Sequence, residues 1–295
     1  MEQPLKILFV INDLYTRGNG LAASARRMIA LLREHGHHVR VLSALPRDGD
    51  DCGVGMPEYV LPPLRIPLVG PLIASQGYAF ARAKRREIER ALAWADVVHL
   101  EEPFCLQAVV AHYARRQGVL VVATYHIHPE NLTASVYLDR ALPLNWAILE
   151  LLKRAIFNRS DLVQCPSRSV YERVSKLRVR APLLLLSNGV PLGEEVCGGG
   201  HEVGESSVVR VLVVGRFSRE KDQATILRAL RHSAHARSIQ LTFAGRGPTE
   251  HSLRASARRL LRRGVIAHPV RFAFMSADEL AREASSCAVY VHAAR

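Results

Sequence analysis

Two cations, Arg216 and Lys221, stand where an apolar run gives way to a helical pattern in "VLVVGRFSREKDQATILRAL". Gly215 ends the apolar run and permits close approach to the backbone. The helix that follows turns its amino-terminal N–H groups, and the positive end of its dipole, toward the same loop, which makes a ready anion site. A guanidinium offers a fork of donors matching phosphate oxygens, and an ammonium adds a compact charge. Together they suit a diphosphate. If that diphosphate is a leaving group, the same charges stabilise it as it departs, with no metal required. On spacing alone the plainer alternative stands beside this one: a solvated pair, with Lys221 matched to Glu220 or Asp222.

A second group lies in "ATYHIHPEN". His126 and His128 fall on one face of an extended segment, a spacing that metals use. No third ligand of matching spacing is visible, so no metal is expected. Taken by itself, His126 reads as a buried, hydrogen-bonded histidine. "GNGLAA" matches a dinucleotide fingerprint in form, yet it lies too far past the apolar strand for the tight turn that motif needs. Arginines 258, 259, 262 and 263 share one helical face without an aromatic platform, so no nucleic-acid partner is expected.

The elements that must position these residues alternate. "KILFVIND" is a short apolar run of the buried parallel kind, "GLAASARRMIALLREHGH" a helix stopped by Gly36, and "HVRVLSA" the next strand. This β-α-β order predicts a parallel sheet. It continues with a helix over "YAFARAKRREIERALAWA", a strand at "DVVHLEE", a helix at "LQAVVAHYARRQG" and a strand at "VLVVATYH". A long helix, "LPLNWAILELLKRAIFNRS", precedes strands at "DLVQCPS" and "APLLLLSNG". Residues 191–207 have no periodicity and three consecutive glycines, the mark of a linker. Alternation then resumes through "VVRVLVVGRF", "IQLTFAGRG", "VRFAFMS" and "AVYVHAA", with helical stretches between them. The expected fold is α/β: domains over 1–190 and 208–295 facing a cleft, the default ligand site. The second domain offers four strands and reads as incomplete; in the order 3-2-1-4 its fourth strand becomes an unpaired edge.

Composition narrows the partners. The chain has 40 Lys+Arg against 27 Asp+Glu, a net charge of +13, which suits anionic ligands. Five scattered cysteines without a C-x-x-C pair argue against a disulfide framework or structural zinc. With no leader and no apolar run long enough to span a bilayer, the expected compartment is the cytoplasm. The stretch "LRIPLVGPLIASQGYAFARAKRREIERALAWA" joins an apolar approach to a basic helix. It admits two readings: a peripheral contact with an anionic membrane, and a helix packed on the sheet with its cations in water.

Several pieces resemble one family in register. "GRFSREKD" resembles the G-R-F/L-x-x-E-K segment of retaining glycosyltransferases of family 4, which have the two-domain GT-B fold. "RGNG" is similar to the family's glycine loop, and "HGHHVRVLS" to its G-H-x-V turn. "ADVVHLEEP" is similar to D-V-V-H-x-H-x-P, "ATYH" to T-x-H, "SNGVPL" to N-G-V-D, and "FAGRGPTE" to the A-G-x-G-P loop. The resemblance implies a nucleotide-sugar donor, UDP- or GDP-linked, a lipid or glycan acceptor, retention of configuration, and no cofactor. Gly215, Arg216 and Lys221 would hold the diphosphate, and Gly20 would let the amino-terminal loop approach it. His126 would sit by the reacting sugar, with His128 and Glu130 on the acceptor side. Gly245, Gly247, Phe274, Met275 and Ser276 would line the nucleotide pocket. The family continues past "VYVHAA" with two glutamates that hold the donor sugar and ribose, and this chain ends before either. The alternative expectation is therefore a catalytically silent form that binds a nucleotide or a partner.

Overall fold

A computed structural model of the chain describes residues 3–16, 19–45, 49–64, 80–126, 142–189 and 208–294. Contacts divide it into two compact units, Met1–Val190 and Pro191–Arg295, each built on its own parallel sheet.

In the first unit the strands are β1 (Lys6–Val10), β2 (His38–Ala44), β3 (Tyr59–Leu61), β4 (Val97–Leu100), β5 (Leu120–Thr124), β6 (Leu162–Cys165) and β7 (Leu183–Leu185). They lie in the order β3-β2-β1-β4-β5-β6-β7, all parallel. Alternation along β1 sends Leu8 and Val10 into one core and Ile7 and Phe9 into another, as a sheet covered on both faces requires. The helices are α1 (Gly20–Glu34), α2 (Arg85–Leu92), α3 (Cys105–Gln117), α4 (Leu142–Ala155) and α5 (Arg168–Lys176). Asn19 caps α1 by accepting from the Leu21 N–H at 3.0 Å, and Gly36 ends that helix at φ 87°, a conformation without penalty for glycine.

Three local expectations change. The helix expected over 78–95 begins only at Arg85. Its approach is extended because its backbone is claimed elsewhere: Leu64 N–H donates to the Phe80 carbonyl, Arg82 N–H to the Pro62 carbonyl, and Ala81 N–H to Asn12 Oδ1. The long helix expected over 142–160 stops at Ala155 and continues as a 3₁₀ turn, Phe157–Arg159. The pattern reading did not mark β3 or α5 as elements; α5 buries only Val170 and Val174, an i,i+4 stripe too narrow to stand out.

The second unit holds β8 (Val209–Val214), β9 (Ile239–Ala244), β10 (Arg271–Ala273) and β11 (Val289–Tyr290) in the order β10-β9-β8-β11. Helices α6 (Gln223–Leu230), α7 (Glu250–Arg262) and α8 (Ala277–Ser285) connect them. Its core gathers Val211, Val213, Phe217, Leu227, Phe243 and Leu253. As the order 3-2-1-4 implies, β11 pairs with β8 alone and forms an edge, with Tyr290 59% exposed.

Candidate functional site

Parallel strands deliver their carboxyl ends to one edge, and in the second unit that edge carries the loop with the two cations. Gly215 N–H donates to the Ala244 carbonyl and Gly245 N–H to the Ala273 carbonyl, so the ends of β8, β9 and β10 lie side by side. The fit between the first two loops is tight. A Cβ on Gly245 would overlap the Gly215 carbonyl oxygen, and one on Gly247 would overlap the backbone of Phe217. Phe217 itself is fully buried against Phe243 and Phe272, which anchors the loop between its two cationic positions. At Gly215 a Cβ would meet only the Lys221 stem at ordinary distance; its φ of 143° is what favours glycine there.

Arg216 and Lys221 flank one carboxylate. Arg216 Nη2 lies 3.7 Å from Glu220 Oε2, and Lys221 Nζ lies 3.7 Å from Glu220 Oε1. Both cations are about a third exposed, so each pair contributes about 0–1 kcal/mol and yields readily to a stronger anion. Gln223 pins the loop from the first turn of α6 by donating Nε2–H to the Arg216 carbonyl at 2.8 Å. Its Oε1 is buried without a hydrogen-bond partner. The Ser218 hydroxyl oxygen accepts from the Lys221 N–H at 3.4 Å.

Beside this loop, the Arg246 guanidinium stacks 4.5 Å from the centre of the Phe274 ring. Phe274 and Met275 line a pocket of about 300 Å³ with Arg271, Arg282 and Glu283. Ser276 caps α8: its hydroxyl accepts from the Glu279 N–H at 3.3 Å, and the Glu279 carboxylate accepts from the Ser276 N–H at 2.8 Å. Of the residues expected to bind the donor, Gly20 belongs to the other unit. It opens α1, and nothing in the chain lies within 4 Å of where its Cβ would be.

The corresponding edge of the first unit holds a buried polar network around His126. Glu101, just past β4, accepts from His126 Nε2–H at 2.9 Å through Oε2. Its Oε1 lies 3.4 Å from His99 Nε2 and has no hydrogen-bond partner. His99 stacks on Phe9, with ring centres 4.8 Å apart, and spends its Nε2–H on Thr124 Oγ1 at 2.8 Å. Thr124 in turn donates to Gln164 Oε1 at 3.2 Å, which fixes the direction of that chain and the tautomer of His99. Burial alone raises the Glu101 carboxyl, but the imidazoles of His99 and His126 outweigh it and hold the group below the ordinary carboxylate range. His99 is pushed down by burial, against the pull of Glu101.

Next to it, Glu102 behaves oppositely. Burial pushes its carboxyl up to about 7, against hydrogen bonds from Asn12 and Gln107 and with a push from the Glu101 charge. Oε2 accepts from Asn12 N–H and Asn12 Nδ2–H, each at 2.6 Å, and from Gln107 Nε2–H at 3.1 Å. Glu101, Glu102 and His99 were not singled out from the sequence; the available signal was a pair of acids directly after an apolar strand in "VVHLEEP". His128, Glu130 and the 191–207 linker lie outside the described residues. Among the described residues, no group of three or more His, Cys, Asp or Glu could hold a metal ion.

Two Rossmann-like α/β units in one chain are what a GT-B fold contains, and the chain shares that fold with solved glycosyltransferases. The sequence pattern of Glycosyltransferase Family 4 matches residues 18–194, and the chain belongs to that family. It is 24% identical over 272 residues to the alpha-monoglucosyldiacylglycerol synthase of Streptococcus pneumoniae, covering 87% of this chain and 59% of that protein. It is also 23% identical over 147 residues to the GDP-mannose-dependent alpha-mannosyltransferase of Corynebacterium glutamicum, covering 49% of this chain and 34% of that protein. The chain thus spans about 59% of the length of the first relative and about a third of the second. Among solved structures, HepE of Anabaena in complex with UDP and glucose aligns with a TM-score of 0.62 at 15% identity, over 98% of this chain and 74% of that one. The lipopolysaccharide outer core galactosyltransferase WaaB in its apo form gives 0.62 at 14%, over 98% of this chain and 74% of that one.

Proposed function

We propose that this chain, as it stands or within a longer protein, moves a sugar from a UDP- or GDP-linked donor to a lipid or glycan acceptor, with retention and without a metal. The observation that carries this is the Gly215–Arg216–Lys221 loop, packed through Gly245 and Gly247 onto the neighbouring strand end and holding two partly exposed cations. In this reading residues 208–295 bind the donor, residues 1–190 face the acceptor, and 191–207 link them. Departure of the nucleoside diphosphate gives the sugar oxocarbenium character, and the acceptor attacks the face the diphosphate has left. A diphosphate oxygen takes the acceptor's proton, so the protein's task is positioning and charge stabilisation. Arg216 and Lys221 receive the developing charge. His126 orients a hydroxyl of the sugar or acceptor, with His128 and Glu130 beside it.

The relatives support the substrate class: one is a synthase of a glucosylated diacylglycerol, the other is GDP-mannose-dependent. A lipid acceptor brings the protein to a membrane, here by peripheral contact at the cytoplasmic face. No helix among the described residues is long and apolar enough to cross one.

The test is ligand-dependent thermal stabilisation by UDP and by GDP, in the presence of EDTA. A single charge-assisted contact is worth about 1.5–3 kcal/mol, so Arg216→Ala or Lys221→Ala should weaken binding at least tenfold and remove most of the shift. Retention of the full shift by both variants would sink the diphosphate assignment. Sugar release or transfer from the donor then separates a working transferase from a silent binder.

A further inference from the structure

We propose that Glu101 is a positioning residue: its buried carboxylate holds the Nε2–H of His126, leaving the other ring nitrogen to orient a sugar or acceptor hydroxyl. The inference rests on the acceptor-side role proposed above for His126.

Glu101 is 1% exposed, and among the described residues few groups reach its carboxylate. His99 approaches Oε1 at 3.4 Å, but its N–H is committed to Thr124. Among the described residues, His126 is therefore the one hydrogen-bond donor to the Glu101 carboxylate. A buried anion that few hydrogen bonds hold is costly, so the bond from His126 matters to this carboxylate. An ionised carboxylate only accepts, so His126 must donate from Nε2. A carboxylate behind an imidazole fixes its tautomer and its ring orientation. The position is also where this chain departs from the motif it resembles. In D-V-V-H-x-H-x-P the second histidine falls on Glu101, so a carboxylate that faces His126 stands where the motif has an imidazole. The groups facing the pair are His99 and, one residue on, Glu102.

Two variants test it in the full chain. Glu101→Gln keeps an acceptor for the imidazole N–H. Glu101→Leu keeps similar bulk and removes both acceptor and buried charge. The first readout is the ring N–H proton of His126 by NMR, assigned by its loss in His126→Asn. It should be visible and protected from exchange in the parent and in Glu101→Gln, and lost in Glu101→Leu. The second is transfer from a UDP-linked sugar. In Glu101→Leu kcat should fall tenfold or more while the UDP-induced thermal shift stays within about a degree of the parent's, and Glu101→Gln should recover most of kcat.

Persistence of the protected N–H in Glu101→Leu overturns the proposal. So does an equal loss of kcat and of UDP binding, which would make Glu101 merely structural. If the parent chain transfers no sugar, the transfer reading fails on its own, and the NMR result still decides whether Glu101 holds His126.

Discussion

Glu102 gives the sharpest test of the electrostatics at the first unit's site. Its carboxyl stands at about 7 rather than its ordinary 4.5, chiefly through burial. A group raised on folding contributes stability that is fully present below its unfolded value and is lost as pH climbs through its folded value. For Glu102 that window runs from 4.5 to about 7. At about 1.4 kcal/mol per unit, the gap corresponds to roughly 3 kcal/mol lost from the fold by mildly alkaline pH. His99 works against this below its ordinary value: its titration pushed down by burial, it withdraws stability as pH falls. The parent's own pH profile therefore mixes two opposing slopes, and only a difference measurement isolates Glu102. Glu102→Gln supplies it, because the amide imitates the protonated acid and its oxygen can still accept from Asn12 and Gln107. Both tryptophans, Trp94 and Trp146, lie in the unit Met1–Val190, so urea unfolding followed by tryptophan fluorescence reports the right transition. The variant-minus-parent difference should lie near zero at about pH 4.5 and rise to about 3 kcal/mol in the variant's favour at about pH 8. The competing view is that three donors on Oε2 stabilise the anion more than burial penalises it. That view predicts a variant that loses ground as pH rises, and observing it would refute the reasoning.

Gly245→Ala and Gly247→Ala should each cost the second unit on the order of 3 kcal/mol or more, since the added carbon meets backbone that cannot yield; circular dichroism melts would show it. Gly20→Ala should leave stability unchanged or raise it by a few tenths of a kcal/mol, yet reduce the UDP-induced thermal shift if the α1 loop approaches the donor phosphate. Glu283 accepts from Arg210 at 3.2 Å, Thr242 at 3.1 Å and Arg271 at 3.0 Å, but both arginines are about half exposed, so Glu283→Ala should destabilise the second unit by about 1–2 kcal/mol in the same melts. Co-sedimentation with anionic vesicles at low salt, lost at high salt, is expected from the peripheral contact; absence of binding at low salt would remove it.

How far the sequence could be read depended on whether burial or pairing decides an element. Buried parallel strands are continuous apolar runs, so "KILFV" and "VRVLVV" announce themselves, and the glycine at 36 marks a helix end by its backbone alone. The start of α2 could not be read this way. Residues 80–82 carry helical apolar spacing, but their backbone is taken by Pro62, Leu64 and Asn12, partners set by tertiary structure. Arg216, Lys221 and the glycine loops were legible because strand end, glycine and cation fall within seven residues of sequence. The network of Glu101, Glu102 and His99 was not, because its members matter through partners far along the chain. Asn12 lies 90 residues from Glu102, and Gln164 lies 40 from Thr124. The local sign, a pair of acids directly after an apolar strand, does not say which partners those acids will meet.

The two sheet edges also divide the chemistry by how tightly their charges are held. On the second unit the cations face a carboxylate at 3.7 Å and are about a third exposed, so the Glu220 contacts are weak beside the short, charge-assisted contacts a phosphate would make in the proposed reading. On the first unit Glu101 and Glu102 are buried in hydrogen bonds as short as 2.6 Å, and taking them apart to bind anything would strand charge in a dry interior. A loosely held charge can be traded, whereas a netted one can only orient its neighbours. The same contrast is consistent with the proposed division, in which Arg216 and Lys221 capture the ligand and Glu101 orients the imidazole it faces.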